Sequence, residues 1–501
     1  DVIRFKQSNM NFVRTSHYPP SEAFLNYCDR FGIYVESETA VCFVDTYRQK
    51  NYAPGRTQDS AEFAPRYLSQ CREMVKSFRS HPSILFWSIG NESIYGKNFQ
   101  ACWDWVKAAD TTRPVIFSYP GSVKDRKPVY DILSMHYQDV NGDVNQFGMS
   151  TRNFQGHGIP ALFDEWAHPA CYTYKTLQDD PNIREFWGIS LEKMWSGLFD
   201  APGGLGGAIW GYIDETFMLP EPKKGTAFWK EFARTAKPED YQGNCVGYGE
   251  WGIVDVWRRE KPEFWSTKKA YSPVRLLTEQ VGSFTPGERL ILPVYNRFDH
   301  TNLSEIKVRY TYNGTEKEAA APAVLPHQKG LLVIPSEDWK DGSELLVSFL
   351  DADGRLIDAS LVTLGKQTVV LPQPTRKGTL QVEDTPDRIL VKGNGFEIPF
   401  CKETGLIYNA TAGGKVIIEK GPFLNLDINL NHLTGAEVRK SATKFMTSDA
   451  DWQKQSITYE KRGADVLVLL SGNYRDVRTD IRLLISPEGK MQIDYLTDGQ
   501  P

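Results

Sequence analysis

From residue 11 to residue 210, short apolar runs alternate with stretches of helical spacing, and few folds accommodate that rhythm. The clearest run is Ile84-Leu-Phe-Trp-Ser-Ile89, ended abruptly by Gly90-Asn-Glu92. Without clean alternation, such a run suits a strand buried on both faces, as in a parallel sheet covered by helices. Comparable runs lie near residues 11, 33, 115, 132, 161 and 207. Between them, Glu22 to Arg30 carries Phe24, Leu25 and Cys28 at helical spacing, with Ser21 as its cap and Gly32 as its stop. Residues 61–80 place Tyr67, Leu68, Cys71, Met74, Val75 and Phe78 on one face, and 99–109 and 182–199 read as further helices. Trp103 and Trp105 on the third of these are expected in the core. The alternation predicts an α/β fold, a (β/α)8 TIM barrel with right-handed crossovers, of which seven strands are legible. The remaining strand is expected upstream of residue 1.

After Pro273 the helical spacing stops. Leu290–Tyr295, Lys307–Tyr312, Gly330–Ile334 and Leu345–Phe349 are short runs separated by turn residues, the pattern of a β-sandwich. Gln373 to Gly378 reads as a linker, and Arg388–Lys392, Gly414–Glu419 and Val466–Leu470 begin a second all-β region whose pattern is still running at Pro501. The expected organisation is a barrel over 1–273, an immunoglobulin-like sandwich over 274–372 and a C-terminal β-domain, cut short, over 373–501.

Composition excludes more than it assigns. A net charge of -5 over 501 residues offers no basic field for nucleic acid. No apolar run reaches the roughly 18 residues that a membrane span needs. The seven cysteines (28, 42, 71, 102, 171, 245 and 401) form neither a C-x-x-C pair nor a zinc-spaced cluster, and are expected to be buried free thiols. They leave the compartment open, a periplasmic or secreted setting being preferred to a cytoplasmic one. The 13 Trp and 23 Tyr suit large cores, and they also suit platforms on which sugars stack.

In α/β barrels active sites sit at the C-terminal ends of the strands. His17, Glu92, Tyr137, Glu165, His168 and Trp210 all fall at such ends. Breaking a glycosidic bond requires a proton donor for the leaving oxygen and a carboxylate facing the anomeric carbon, one protonated while the other is ionised. Glu92 and Glu165 are the natural pair. A lone strand-end glutamate is more often a salt-bridge partner or a helix cap, but two in equivalent positions, with His and Trp around both, are not so readily dismissed. Asp164 competes with Glu165, because adjacent strand residues face opposite ways and only one is expected at the mouth. His136 and Tyr137 are alternates for one inward position, with Tyr137 preferred. Trp210, after Gly206-Gly207, is read as a sugar platform.

At this point the residues resemble a known family. His81-Pro-Ser-Ile-Leu-Phe-Trp-Ser-Ile-Gly-Asn-Glu-Ser93 is similar to the acid/base signature of family 2 glycoside hydrolases, the β-galactosidase and β-glucuronidase group. Asn11–Pro19, Cys28–Val35, Phe163-Asp-Glu-Trp-Ala-His168, Gly206–Trp210 and Trp251–Asp255 through Lys261-Pro262 resemble that family in the same order. Asn394–Glu397 through Gly421–Asn425 is more weakly similar to its C-terminal β-domain. The resemblance implies Glu92 as general acid/base with Asn91 contacting the sugar 2-hydroxyl. It implies Glu165 as the nucleophile of a retaining double displacement, with Arg14 holding it ionised and Tyr137 hydrogen-bonded to it. His17, His168 and Trp210 would line the sugar pocket.

His168, three residues after the nucleophile, resembles the β-galactosidase branch, and the Asn-x-Lys pair of the glucuronidases is not found. Metal-dependent β-galactosidases carry Glu-x-His after the third strand; here the region reads Glu38-Thr-Ala-Val-Cys-Phe-Val-Asp45, so no cofactor is expected, a divalent ion such as magnesium being the alternative. Trp251 stands where some relatives place an Asn near the sugar, which would admit a related pyranose such as arabinopyranose. The expected activity is therefore exo-acting hydrolysis of terminal β-D-galactosides. The alternatives are α-L-arabinopyranosidase, β-glucuronidase or β-mannosidase activity, or a non-catalytic glycan-binding protein or inactive fragment. The expected partner is a glycoside substrate, with neither nucleic acid nor membrane; a homo-oligomer is left open.

Overall fold

The structure, a computed structural model, describes residues 1–44, 57–118, 130–136, 159–167, 183–218, 231, 245–249, 251–366, 378–426, 447 and 449–499, with the backbone alone at 118, 183, 186, 215–218 and 245–249. The chain divides into two compact units. The first consists mainly of Asp1–Thr173 and Arg184–Thr368, the second of Val369–His432 and Lys440–Pro501.

In the first unit, β1 (Phe12–Arg14), β2 (Tyr34–Glu38), β3 (Ile84–Asn91) and β4 (Val115–Ser118) form one parallel sheet in that order, and β5 (Leu133–His136), β6 (Ala161–Trp166) and β7 (Gly204–Ile209) form another. A parallel bridge from Ile116 to Ile132 joins the two. All seven strands read from the sequence are present. The expected closed barrel is not reached: among the described residues no ladder links β1 to β7. A cavity of about 1390 Å³ lies there, with Phe12, Arg14, Leu162, Trp166, Gly206 and Trp210 among its lining.

The helices follow from their sequence spacing. In α2 (Glu22–Phe31) the Ser21 side chain accepts from the Phe24 N–H at 3.3 Å, and Gly32 takes the left-handed conformation (φ 69°) that ends the helix. In α3 (Ala64–Phe78), Tyr67, Cys71, Met74 and Val75 face inward, and in α4 (Lys97–Ala109) Phe99, Cys102 and Val106 do so. These side chains pack on Ile84, Trp87 and Ile89 of β3 in one apolar core. Trp103 and Trp105, expected in the core, lie at its margin and are only partly buried, beneath Lys107 and Arg72 respectively. A short helix, α1 (Val2–Gln7), has no counterpart in the sequence reading; it buries Val2 and Phe5. The long helix α5 (Ile183–Phe199) precedes β7, and α6 (Pro262–Ala270) follows the last barrel segment.

Beyond α6 the sandwich consists of a three-stranded and a five-stranded sheet around Leu292, Val294, Leu332, Val347 and Phe349. The second unit pairs a five-stranded with a four-stranded antiparallel sheet around Val391, Phe400, Val468 and Ile481. The linker read at 373–378 lies outside the described residues except for Gly378. Five cysteines have described side chains and are free, of which Cys28, Cys71 and Cys102 are buried. No helix among the described residues is long and apolar enough to cross a membrane.

Candidate active site

The strand ends converge on a buried guanidinium. Arg14 closes β1, is 7% exposed, and donates from Nε and Nη2 to Glu38 Oε2 at 2.9 and 2.7 Å. Nη2 also donates to Asn91 Oδ1, and Nη1 to Glu165 Oε1, both at 2.7 Å. Four strands therefore meet on one side chain: β1, β2 with Glu38, β3 with Asn91 and β6 with Glu165. The opposite charges of Glu38, Asp164, Glu165 and Glu36 outweigh burial and hold the Arg14 pKa well above its ordinary value. Arg14 thus acts as a fixed cation.

Two further acids in this network were not singled out from sequence. Glu38 is fully buried, and its second oxygen lies 2.8 Å from His17 Nδ1. Burial pushes its carboxyl up, but Arg14 and His17 together hold it below the usual range, so it stays ionised. Among the described residues Glu36 has no hydrogen-bond partner on either oxygen, and Arg14 Nε is 3.5 Å away. Burial and the Asp164 charge push its pKa well above the ordinary value. The signal was legible: Glu36-Ser-Glu38 places two acids on one strand face at period two.

Glu92 follows the last residue of β3, with a left-handed backbone (φ 35°) that turns the chain out of the strand. Its Oε1 lies 3.0 Å from His136 Nδ1. The same nitrogen is 3.6 Å from Glu165 Oε2, and His136 Nε2 is 3.6 Å from Asp164 Oδ1. One atom from each of Glu92, His136 and Glu165 lies within 4.8 Å of the others, the one such triple of potential metal-ligating side chains among the described residues. His136 is 2% exposed; burial alone would lower its pKa, but Glu165, Asp164 and the bond to Glu92 raise it above the ordinary value.

The sequence expectation that only one of Asp164 and Glu165 turns inward is corrected. Both are buried, and both lie within reach of Arg14 and His136, Asp164 accepting from Ser134 Oγ at 2.6 Å. Register shifts between Ser134 and His136 and between Phe163 and Trp166 break the two-residue period there. In β5, His136 faces inward, paired with Glu165 in the register, while the preferred Tyr137 lies outside the described residues. Tyr137 and His168 lie outside the described residues. His17 stacks on Trp210, ring centroids 5.1 Å apart at 24°, with Phe43 edge-on to His17 at 5.9 Å. Trp251 is buried and lines the same cavity as Trp210. Cys42 Sγ accepts from Asn91 Nδ2 at 3.3 Å, and burial pushes its thiol up to about 12.

Residues 1–276 match the model of the family described as Glycosyl hydrolases family 2, TIM barrel domain. The chain belongs to family 2 of the glycoside hydrolases. Among its relatives, a β-galactosidase of Alteromonas mediterranea is 24% identical over 436 residues, which cover 81% of this chain and 39% of that one. A β-galactosidase of Pectobacterium atrosepticum is 30% identical over 338 residues, 66% of this chain and 29% of the relative. This family 2 chain thus spans about two fifths or less of the length of these curated relatives. Among solved structures, a family 2 β-galacturonidase from Eisenbergiella tayi aligns at 24% identity and a TM-score of 0.40 over 54% of this chain and 46% of that one. A β-D-glucuronidase of Dictyoglomus thermophilum aligns at 20% identity and a TM-score of 0.41, with the same coverage.

Proposed function

We propose that this family 2 chain carries the catalytic centre of an exo-acting, retaining β-glycosidase for terminal β-D-galactosides. The observation that carries the reading is the separation of two carboxylates from different strand ends: Glu92 and Glu165 bring oxygens within 4.8 Å of each other. Retaining enzymes hold their two carboxyl groups about 5–5.5 Å apart, whereas inverting ones leave about 6.5–9.5 Å for a water molecule. Glu165, bonded to Arg14, is the nucleophile that attacks the anomeric carbon. Glu92 protonates the departing glycosidic oxygen, and then takes a proton from the water that hydrolyses the glycosyl-enzyme. Arg14 donates to Glu165 Oε1 at 2.7 Å, and among the described residues His136 faces Glu92 at 3.0 Å, so the two carboxyls stand in different surroundings. Asn91, Tyr137, His168, His17 and Trp210 bind the sugar, the last offering an apolar face.

The names of the curated relatives support galactose. Buried Trp251, which lines the same cavity as Trp210, favours a second substrate, an arabinopyranoside, which lacks the exocyclic hydroxymethyl group of galactose. The reading invokes no resident metal, because the Glu-x-His pattern of metal-dependent relatives is missing after β2. Aryl β-galactoside, α-arabinopyranoside, β-glucuronide and β-mannoside hydrolysis by the wild-type protein and by Glu165→Gln tests it. The expected result is turnover of the galactoside or arabinopyranoside, cut by about 10⁴-fold or more in the variant. No turnover of any of the four, or a fully active variant, would overturn it.

A further inference from the structure

The mechanism above gives His136 no part, yet its imidazole sits between the two reacting carboxylates. It ends β5 and is 2% exposed. Nδ1 faces Glu92 Oε1 at 3.0 Å and Glu165 Oε2 at 3.6 Å, and Nε2 faces Asp164 Oδ1 at 3.6 Å. A buried ring this close to the acid/base does more than fill space. A carboxyl group and an imidazole in direct hydrogen-bond contact compete for one proton and titrate as a pair.

We propose that His136 is a positioning residue of the glycosidase centre, orienting Glu92 and sharing a single proton with it, so that the acid/base works as a Glu92–His136 unit. The inference rests on the retaining-glycosidase reading and adds to it the partner that sets the state of the acid. In one form of the pair Glu92 Oε1–H donates to Nδ1, and Nε2–H points toward Asp164. In the other the proton has crossed, and the imidazolium Nδ1–H donates to the Glu92 carboxylate. When the glycosidic C–O bond breaks, the proton leaves through Glu92 to the departing oxygen. Water attack on the glycosyl-enzyme returns one proton to the pair through Glu92.

The charged groups around His136 agree with this. Glu92 stands at the end of β3, Asp164 and Glu165 at the end of β6, and Arg14 at the end of β1. Among these described groups three are acids and Arg14 opposes them; burial alone would lower the imidazole pKa, but the acids raise it above the ordinary value. Arg14 is bonded to Glu165, and among the described residues His136 is the basic group in hydrogen-bond contact with Glu92.

Two arms test the proposal. In the first, pH profiles of kcat/KM are recorded for the wild type, His136→Gln and His136→Asn on two aryl glycosides, one with a poor leaving group and one with dinitrophenolate. The alkaline limb is expected to move to lower pH by about one unit in the variants, where a carboxyl alone holds the proton. The rate should fall about 10–100-fold for the poor leaving group and only a few-fold for the activated one, which needs little protonation. An unmoved limb with equal losses on both substrates would reduce His136 to a packing residue. In the second arm, the NMR titration of the His136 ring, assigned by its loss in His136→Gln, is followed in the wild type and in Glu92→Gln. Its midpoint should drop in Glu92→Gln; an unchanged midpoint would overturn the shared proton. This arm needs no turnover, so an inactive protein would sink the glycosidase reading while the titration still decides the role of His136.

Discussion

At the mouth of the parallel strands, Arg14, Glu36, Glu38, His136, Asp164 and Glu165 are all less than a tenth exposed. In the neighbouring sandwich, the strand Lys307–Tyr312 buries Val308, Tyr310 and Tyr312 and turns Lys307, Arg309 and Thr311 toward the surface. The two regions are ordered by different forces. The sandwich gains stability from apolar area removed from water, which no single side chain controls. The strand ends bury charge, which is costly unless each charge finds a partner, and one guanidinium supplies most of the partners. Chemistry demands the second arrangement: acids in different protonation states must be held close together, out of water.

Four substitutions probe this contrast, beginning with the largest effect. Arg14→Met should lower stability by about 3–5 kcal/mol, because it leaves Glu38 and Glu165 buried without their countercharge, and it should abolish hydrolysis. Denaturant titration and an aryl glycoside assay read both losses; a stable, active Arg14→Met would break the contrast. Leu292→Ala, in the sandwich core at 0% exposure, should cost about 3 kcal/mol in denaturant unfolding while kcat stays within a factor of two. A large fall in kcat would mean that the two regions are not independent.

Glu36→Gln sharpens the comparison through pH. The pKa of Glu36 is raised in the folded state by burial and by Asp164, so the folded protein keeps a proton that the unfolded chain loses above the ordinary carboxylate range. Stability is therefore lost as pH rises from that range toward the folded value, and the amide should remove this loss. Thermal melts at pH 5 and pH 8 should show Glu36→Gln gaining on the wild type at the higher pH. Glu38 has the opposite sign: its depressed pKa adds stability above the ordinary range, lost as pH falls through the folded value. Last, Arg309→Ala, which removes an exposed pair with Glu316 at 3.2 Å on the sandwich surface, should change stability by less than about 1 kcal/mol.

Much of this was legible because the signals are periodic. Seven strands, the helix at 22–31 with its serine cap and glycine stop, and the strand-end positions of His17, Glu92, Glu165 and Trp210 follow from apolar runs and the polar residues that end them, whereas Arg14 and Asn91 were singled out only through the family resemblance. What was missed lies where periodicity breaks. A shift in the β6 register lets Asp164 and Glu165 both turn inward, which a strict two-residue alternation forbids. Glu36 and Glu38 obey the alternation, but their strand reads as a buried one, in which two acids gain meaning only once Arg14 is known to stand beside them. The helix at 2–7 was not recognised, since six residues offer too little spacing to read.

The guanidinium shared among β1, β2, β3 and β6 has an evolutionary consequence. Because Glu38, Asn91 and Glu165 all lean on one group, substitutions at these positions are epistatic: the penalty of each depends on which of the others has already changed. Mutational histories through this centre are therefore order-dependent, and a residue transplanted from a distant homologue should be tolerated only together with its companions around Arg14.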